Sequence, residues 1–166
     1  MTDRPADPAS QTTVMFTDMV GSTARAAELG DRAWASLLAR HNEVIRDHVH
    51  RHDGRVMDNA GDGFFVVFGA PATALACATA VVAGLEELGV TIRVGLHTGD
   101  CLVVDDKCTG LAIHIGARLA AIAAPGEILV SEAVRRSAGP TVPFDERGEH
   151  ELRGVPGTWA LFAVVR

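Results

Sequence analysis

The chain has 166 residues, of which 48% are hydrophobic, and a formal net charge of −6. This length and composition predict one folded domain with a sizeable core. The acidic balance excludes a basic stripe able to displace counterions from nucleic-acid phosphates, so no nucleic-acid partner is expected. The three cysteines have no disulfide or zinc spacing, and the sequence has no signal-peptide pattern. Its apolar stretches are too short or too charged to span a bilayer. These features predict a cytoplasmic protein without membrane association.

Strands and helices are predicted to alternate along the chain. Residues 1–12 are polar and contain proline, which predicts a disordered lead before a domain of residues 13–166. Periodicity and turn signals then predict an α+β fold with helices on one face of a mainly antiparallel sheet. The predicted elements are a strand at Thr13 to Thr17, a helix from about Asp31 to His52, a hairpin of Arg55 to Asp58 and Phe64 to Phe68, a helix from Pro71 to Leu88, strands at Thr91 to His97 and Cys101 to Val104, a helix from Gly110 to Ala123, a strand at Ile128 to Val130, a short helix from Glu132 to Ser137, and strands at Glu149 to Leu152 and Thr158 to Val165.

Two aspartates stand at predicted strand turns. Asp18 follows the first strand and precedes the small-residue run 20–23, whose backbone N–H groups can approach a polyphosphate closely. Asp62 lies between two glycines at the predicted hairpin tip. Carboxylate oxygens suit Mg²⁺ or Mn²⁺, which take their other ligands from water and phosphate. Each aspartate alone is more typical of an ordinary turn or helix cap, whereas the pair predicts a site for a metal-bound phosphate.

The predicted helix from Gly110 presents two polar side chains on one face. His114 and Arg118 are four residues apart, so both leave the same side of the helix. Arg118 stays charged beside a reacting phosphate and can bridge two of its oxygens. Near the C-terminus, Arg153 follows the predicted strand 149–152 and offers a second cation. The alternative for all three residues is an ordinary solvated surface group.

Six segments, in chain order, carry the most specific patterns of the sequence. They are Phe16–Thr23, Gly54–Val56 leading into Gly61–Gly63, Arg93–Gly99, Gly110–Leu119, Pro125–Ser131 and Arg147–Gly154. Together they resemble the class III nucleotidyl cyclase catalytic domain of the bacterial stand-alone type, from about Thr13 to Val165. The resemblance implies a ferredoxin-like, palm-type sheet with helices packed on it and a head-to-tail homodimer.

The same resemblance implies a reaction and a role for each residue. The reaction converts ATP, a purine nucleoside triphosphate, to 3′,5′-cyclic AMP and pyrophosphate. Two Mg²⁺ or Mn²⁺ ions per active site would be held by Asp18, Asp62 and the backbone of Met19. Arg118 would stabilise charge developing at the transferred phosphorus, with His114 standing where the family usually has Asn. The triphosphate would be held by Val20, Gly21, Ser22, Thr23 and Arg153.

In the resembling family the active site is shared between two protomers. Two equivalent sites follow from the two-fold symmetry of such a homodimer. Here the carboxylates of one protomer, Asp18 and Asp62, would face a set of residues on the other protomer. That set is Asp58, Lys107, His114, Arg118 and Arg153.

The positions that select the base depart from the family's pattern. Asp58 stands where adenylate-forming members carry Lys, and Lys107, the only lysine of the chain, stands where they carry Asp. The exchanged pair still offers one donor and one acceptor, which serves adenine or guanine. The alternative is a salt bridge that fills the pocket and leaves it weakly selective. The expected activity is adenylate cyclase, with guanylate cyclase or a catalytically weak or silent nucleotide-binding, regulatory dimer as the alternatives.

Overall fold

The computed structural model of the chain describes residues 10–166 and shows a mixed sheet flanked by helices. In chain order the elements are β1 (Ser10–Met19), α1 (Ser22–Leu29), α2 (Asp31–Arg51), β2 (Arg55–Ala60), β3 (Gly63–Phe68), α3 (Pro71–Glu86), β4 (Ile92–Val104), β5 (Lys107–Thr109), α4 (Leu111–Ile122), β6 (Ile128–Ser131), α5 (Glu132–Ser137), β7 (Phe144–Glu151) and β8 (Thr158–Val164). Across the sheet the strand order is β2-β3-β1-β4-β6-β8-β7, and β5 pairs with β4 off this path. All pairs are antiparallel except β4 with β6, which confirms the predicted mainly antiparallel α+β fold. Within the described range, no helix is long and apolar enough to cross a bilayer.

The two faces of the sheet bury separate clusters of side chains. Along β1, Met15 belongs to a large core that includes residues of α2, α3 and α5, whereas Val14 and Phe16 pack in a different cluster. A third cluster joins Leu119 of α4 to Leu129 of β6. Because side chains alternate along a strand, apolar residues at successive positions of the central strands mean that both faces are covered.

The prediction that all helices share one face of the sheet is wrong, because α4 packs on the face opposite α2 and α3. Glycines allow this helix to approach the sheet closely. A Cβ added at Gly95 of β4 would lie 2.6 Å from the Gly116 carbonyl oxygen and closer still to the Ala120 backbone nitrogen. A Cβ added at Gly116 would lie 2.6 Å from a methyl group of Val14. The helix therefore rests on β1 and β4 almost backbone to backbone.

Several element boundaries differ from those predicted. Residues 10–12 belong to β1, and the rest of the predicted lead lies outside the described residues. β4 is one continuous strand, because Thr98 and Gly99 continue its ladder with β1 across the predicted break. β7 begins at Phe144, five residues before the predicted strand, as its pairing with β8 requires. Helix α1 and strand β5 are additional; the sequence signal for α1 is a run of helix-forming residues that ends at Gly30.

Strand β7 forms one edge of the sheet and is strongly charged. Its residues from Asp145 to Glu151 are all exposed, and most of them are acidic. Arg147 forms an ion pair at 2.9 Å with Glu127, which precedes β6. The opposite edge of the sheet is β2.

His97 is a buried histidine in the central strand β4. His97 of β4 is 5% exposed, its Nδ1 is hydrogen-bonded to the Ser131 hydroxyl at 2.7 Å, and the ring of Trp159 meets it edge-on at 5.7 Å. Burial disfavours the charged imidazolium and lowers the pKa of His97 from 6.5 to about 4. The side chain is therefore neutral at physiological pH.

The contact between α4 and β4 predicts that Gly95→Ala destabilises the fold. The added methyl group would meet backbone atoms, which cannot rotate away, so we expect a loss of about 3 kcal/mol or more in the free energy of unfolding. Urea denaturation measures this loss. Gly69→Ala is the matched control, because a Cβ there would meet nothing within 4 Å. Equal stability of the two variants would contradict the close packing of α4.

Burial of His97 predicts a loss of stability in mild acid. The unfolded imidazole binds a proton near pH 6.5, whereas the folded one does so only near pH 4, so stability is fully present above 6.5 and declines as the pH falls between these values. His97→Gln should flatten this decline by up to about 3 kcal/mol. Denaturation curves across this pH range test it, with exposed His50→Gln as the control. An unchanged slope in His97→Gln would refute the assignment.

Candidate active site

Asp18 and Asp62 lie together at one end of the sheet. In the ladder of β1 with β3, Thr17 is opposite Phe64, so Asp18 is next to the turn that holds Asp62. Burial of the Asp18 carboxyl group raises its pKa, and the negative charge of Asp62 raises it further. The structure thus brings the two predicted carboxylates close enough to repel each other. A bound cation would offset this repulsion.

The turn that carries Asp62 is held by its own backbone and by one side chain. Gly61 has a φ of 63°, a left-handed conformation that glycine adopts without strain. The Asn59 side-chain amide donates a hydrogen bond at 3.0 Å to the carbonyl of Gly63, across the turn. Ala60 and Gly63 close the ladder on either side. Asp62 is therefore presented by a tight two-residue hairpin loop, as the sequence predicts.

Arg93 is a candidate site residue that the sequence analysis misses. It is opposite Asp18 in the ladder of β1 with β4, and its guanidinium lies 3.9 Å from the Asp18 carboxylate. This positive charge lowers the pKa of Asp18, against the larger effects of burial and of Asp62. The register of two strands far apart in sequence determines this contact, so no local pattern around Arg93 indicates it. A cation beside the carboxylates would also face a bound phosphate.

Helix α1 begins at Ser22, four residues after Asp18, and its N-terminus lies at the same end of the sheet. Gly21 has a φ of 66° at the N-cap, and Ser22 and Thr23 form the first turn. The first N–H groups of a helix have no acceptor within the helix, and the helix dipole favours a negative charge there. The N–H of Val20 is different, because it donates to the Thr91 carbonyl at 2.9 Å. Phosphate binding by this segment would therefore use the helix turn rather than the Val20 N–H.

The residues at this end of the sheet fit a hydrated divalent cation bound to phosphate. Within residues 10–166, no group of three or more His, Cys, Asp or Glu converges to form a closed protein cage. Two carboxylates are nonetheless the protein ligands that Mg²⁺ typically uses, since it keeps water and substrate phosphate as its other ligands. The N-terminus of α1 suits that phosphate. The unfavourable proximity of Asp18 to Asp62 supports this fit.

A second group of predicted residues meets at helix α4. His114 and Arg118 are exposed on the same face of the helix. The Arg118 Nε donates a hydrogen bond at 2.9 Å to the Arg153 carbonyl, in the segment between β7 and β8. Arg118 and Arg153, which are far apart in sequence, are therefore neighbours in the fold. Within residues 10–166, no hydrogen bond or ion pair joins this cationic group to the carboxylates.

The two residues predicted to select the base are both exposed. Asp58 lies on β2, and Lys107 begins β5. No ion pair between them is present in the described part of the chain. The strands that carry them are instead linked by Arg55 and Asp106, whose charged groups lie 3.2 Å apart. The alternative in which Asp58 and Lys107 neutralise each other within one chain is therefore not seen.

The chain matches the family model of the adenylate and guanylate cyclase catalytic domain over residues 5–165. It is 31% identical over 153 residues to putative adenylate cyclase 3 of Rhizobium meliloti, which covers 86% of this chain and 26% of that protein. It is also 31% identical over 130 residues to serine/threonine-protein kinase pkn2 of Myxococcus xanthus, covering 74% of this chain and 16% of that protein. The chain thus spans only a small part of these relatives.

Solved cyclase structures share the fold. The adenylyl cyclase CyaB from P. aeruginosa superposes with a TM-score of 0.83 at 21% identity, covering 95% of each chain. The guanylate cyclase domain of RhGC from Catenaria anguillulae, in complex with GTP, superposes with a TM-score of 0.84 at 18% identity, covering 93% of this chain and 96% of that one. These similarities confirm the predicted fold class, and they include both adenylate and guanylate cyclases.

The carboxylate pair predicts a measurable metal site in the protein without nucleotide. Asp18→Asn and Asp62→Asn each remove a charged oxygen ligand, and we expect each to weaken Mn²⁺ binding by at least about tenfold, since even outer-shell changes often cost that much. Calorimetric titration with Mn²⁺ measures the affinity. Asp145→Asn, on the distant edge strand β7, is the control. Binding as tight in Asp62→Asn as in Asp145→Asn would remove Asp62 from the site.

Proposed function

Because the chain belongs to the adenylate and guanylate cyclase catalytic domain family, we propose that it is a metal-dependent nucleotidyl cyclase that converts ATP to 3′,5′-cyclic AMP and pyrophosphate. The observation that carries the proposal is the meeting of Asp18 and Asp62 beside the N-terminus of α1. The adenylate cyclase relative supports ATP as the substrate.

The residues of the carboxylate end would bind and orient the triphosphate. Mg²⁺ or Mn²⁺, two ions per site held by Asp18, Asp62 and the Met19 backbone, would supply the positive charge that favours ionisation of the ribose 3′-hydroxyl and offsets the phosphate charge. The N–H groups of the first turn of α1 would donate hydrogen bonds to phosphate oxygens. Arg93, beside Asp18, would add a permanent positive charge to the same end of the sheet.

The cationic group on α4 would act at the reacting phosphorus. In the proposed reaction the 3′-oxygen forms a bond to the α-phosphorus, the bond from that phosphorus to the bridging oxygen breaks, pyrophosphate leaves, and the hydroxyl proton passes to solvent. Arg118 would hold the oxygens on which negative charge increases, and its bond to the Arg153 carbonyl fixes the direction of its side chain. Arg153 would hold the terminal phosphates, and His114 would donate one hydrogen bond in place of Asn.

The arrangement of the two groups supports a homodimer with shared sites. The carboxylates and the Arg118 group are not linked by any hydrogen bond or ion pair within the part of the chain that the structure describes. A head-to-tail dimer would place the carboxylates of one protomer opposite the cationic group of the other, twice by symmetry. Exposed apolar residues near the start of α4, Val103, Val104 and Leu111, are available to such an interface.

GTP is the second candidate substrate, because the exchanged pair of Asp58 and Lys107 serves guanine as well as adenine. Guanine needs a donor to O6 and an acceptor for its N1–H and amino group, and this pair offers both. The test is incubation of the purified protein with Mn²⁺ and either ATP or GTP, followed by mass spectrometry of the product. Cyclic AMP supports the proposal. Cyclic GMP alone would assign the second activity, and no cyclic product from either nucleotide would favour a silent nucleotide-binding module.

Sharing of the site predicts complementation between inactive variants. Arg118→Ala should lower kcat by about 10²- to 10³-fold through loss of transition-state charge stabilisation. Asp62→Asn should be inactive through loss of metal binding. When the two variants are mixed, half of the dimers are mixed and each has one intact site, so roughly a quarter of the wild-type activity should return. No recovery, once mass spectrometry shows that mixed dimers form, would show that both residues act within one chain.

A further inference from the structure

The segment 102–109, which we call the hairpin arm, contains the end of β4, a two-residue turn and β5. Among the described residues, 10–166, the ladder of β1 with β4 includes the pair of Ser10 with Cys101, and Leu102 to Val104 of β4 pair with β5. The arm turns at Asp105 and Asp106, with φ angles of 49° and 59°. Such angles at both loop positions are typical of a type I′ hairpin turn, which aspartate tolerates better than most residues.

The hairpin arm folds back toward β2, the edge strand of the sheet. At its base, Cys108 packs against the same small cluster as Phe65 and Val67 of β3. At its tip, the Arg55 guanidinium of β2 contacts the Asp106 carboxylate at 3.2 Å. The arm therefore crosses above β1 and β3 and is attached at its tip by this one ion pair among the residues that the structure describes.

An irregularity in β2 turns Asp58 to the face on which the hairpin arm lies. Arg55 is opposite Val67 and Asp58 is opposite Phe65, with a register shift between Val56 and Asp58. In a regular strand, residues three apart point to opposite faces, but one extra residue restores them to the same face. Arg55 and Asp58 therefore share the face of Phe65 and Val67.

We propose that the Arg55–Asp106 ion pair is a positioning device for base recognition, because it fixes the hairpin arm, and with it Lys107, relative to Asp58. Lys107 directly follows Asp106, so the anchor and the base-contacting side chain are adjacent in the chain. Because Arg55 pairs with Asp106, the charges of Lys107 and Asp58 have no ion-pair partner within residues 10–166. The proposal rests on the cyclase function proposed above, since it deepens the role of the same pocket.

The ion pair is suited to positioning rather than to stabilising the fold. The side chains of Arg55 and Asp106 are 58% and 86% exposed, and pairs in such an environment contribute little to the free energy of unfolding. The pair can instead change how often the tip of the hairpin arm separates from β2. The expected signature is therefore local opening and altered selectivity with an almost unchanged melting temperature.

Two readouts on the full chain test the proposal, and one of them does not depend on activity. Asp106→Asn removes the charge but keeps a residue that tolerates the turn. Asp105→Asn is the matched control, because it makes the same change at the neighbouring turn position, which has no ion pair among the described contacts. Arg55→Met removes the partner, and Arg55→Lys keeps its charge. Hydrogen exchange across residues 102–109 reports the arm, and kcat/KM for ATP and GTP reports selectivity.

In Asp106→Asn and in Arg55→Met we expect amide protection in the arm to fall by about two- to fivefold, with no further fall when the two changes are combined. The ratio of kcat/KM for ATP to that for GTP should move toward one by a similar factor, mainly through KM. Asp105→Asn and Arg55→Lys should retain the wild-type values.

Two results would overturn the proposal. Equal protection in Asp106→Asn and Asp105→Asn would show that the ion pair does not anchor the arm. Faster exchange with an unchanged nucleotide ratio would show that the anchor does not position the base-recognition pair. A wild-type protein that forms no cyclic product from ATP or GTP would instead contradict the proposed function, and the exchange comparison would still decide whether Arg55 and Asp106 hold the arm.

Discussion

The close contact between α4 and the centre of the sheet is the constraint on which the geometry of the molecule depends. Gly95 and Gly116 remove the side chains that would otherwise separate the helix from β4 and β1. The same two strands carry Asp18 and Arg93, which pair two positions along the ladder from Gly95. The contacts of α4 with β1 and β4 therefore fix the position of Arg118 relative to Asp18. They involve backbone atoms, so they cannot relax by a change of rotamer. A helix packed on longer side chains would be held less rigidly relative to these strands.

The carboxylate end shows how the fold accepts a local cost for chemistry. Burial and a neighbouring negative charge both disfavour ionised Asp18, and Arg93 compensates only in part. A protein selected for stability alone would have no reason to keep two acids so near each other. The conflict between local electrostatics and an otherwise consistent fold is the kind of exception expected where function is located.

Local features of the site are those that the sequence predicts well. The hairpin tip with Asp62, the helices α2 and α4, and the common face of His114 and Arg118 all follow from turn residues and periodicity. Contacts set by pairing between distant segments are not predictable in the same way. The neighbour of Asp18 is Arg93 only because of the register of β1 with β4, and the N–H of Val20 is used by Thr91 only because the chain returns there.

Local periodicity also does not predict on which face of the sheet a helix lies. The apolar stripe of α4 shows that the helix covers a sheet, and it does not show which face. The face is determined by the side chains of β1 and β4. On β1 the successive residues Val14 and Met15, which point to opposite faces, are both buried. The hairpin arm is a similar case, since its contact with Arg55 joins segments that are far apart in sequence.

The charged edge of the sheet has a consequence for how the chain behaves at high concentration. An unpaired strand offers its backbone groups to any extended segment, and exposed edges are common starting points of aggregation. In β7 the acidic side chains of Asp145, Glu146, Glu149 and Glu151 would be brought against one another if two such edges met. This repulsion disfavours the pairing of β7 with a second β7 strand. Two copies of the chain can therefore associate through other surfaces without also polymerising through this edge.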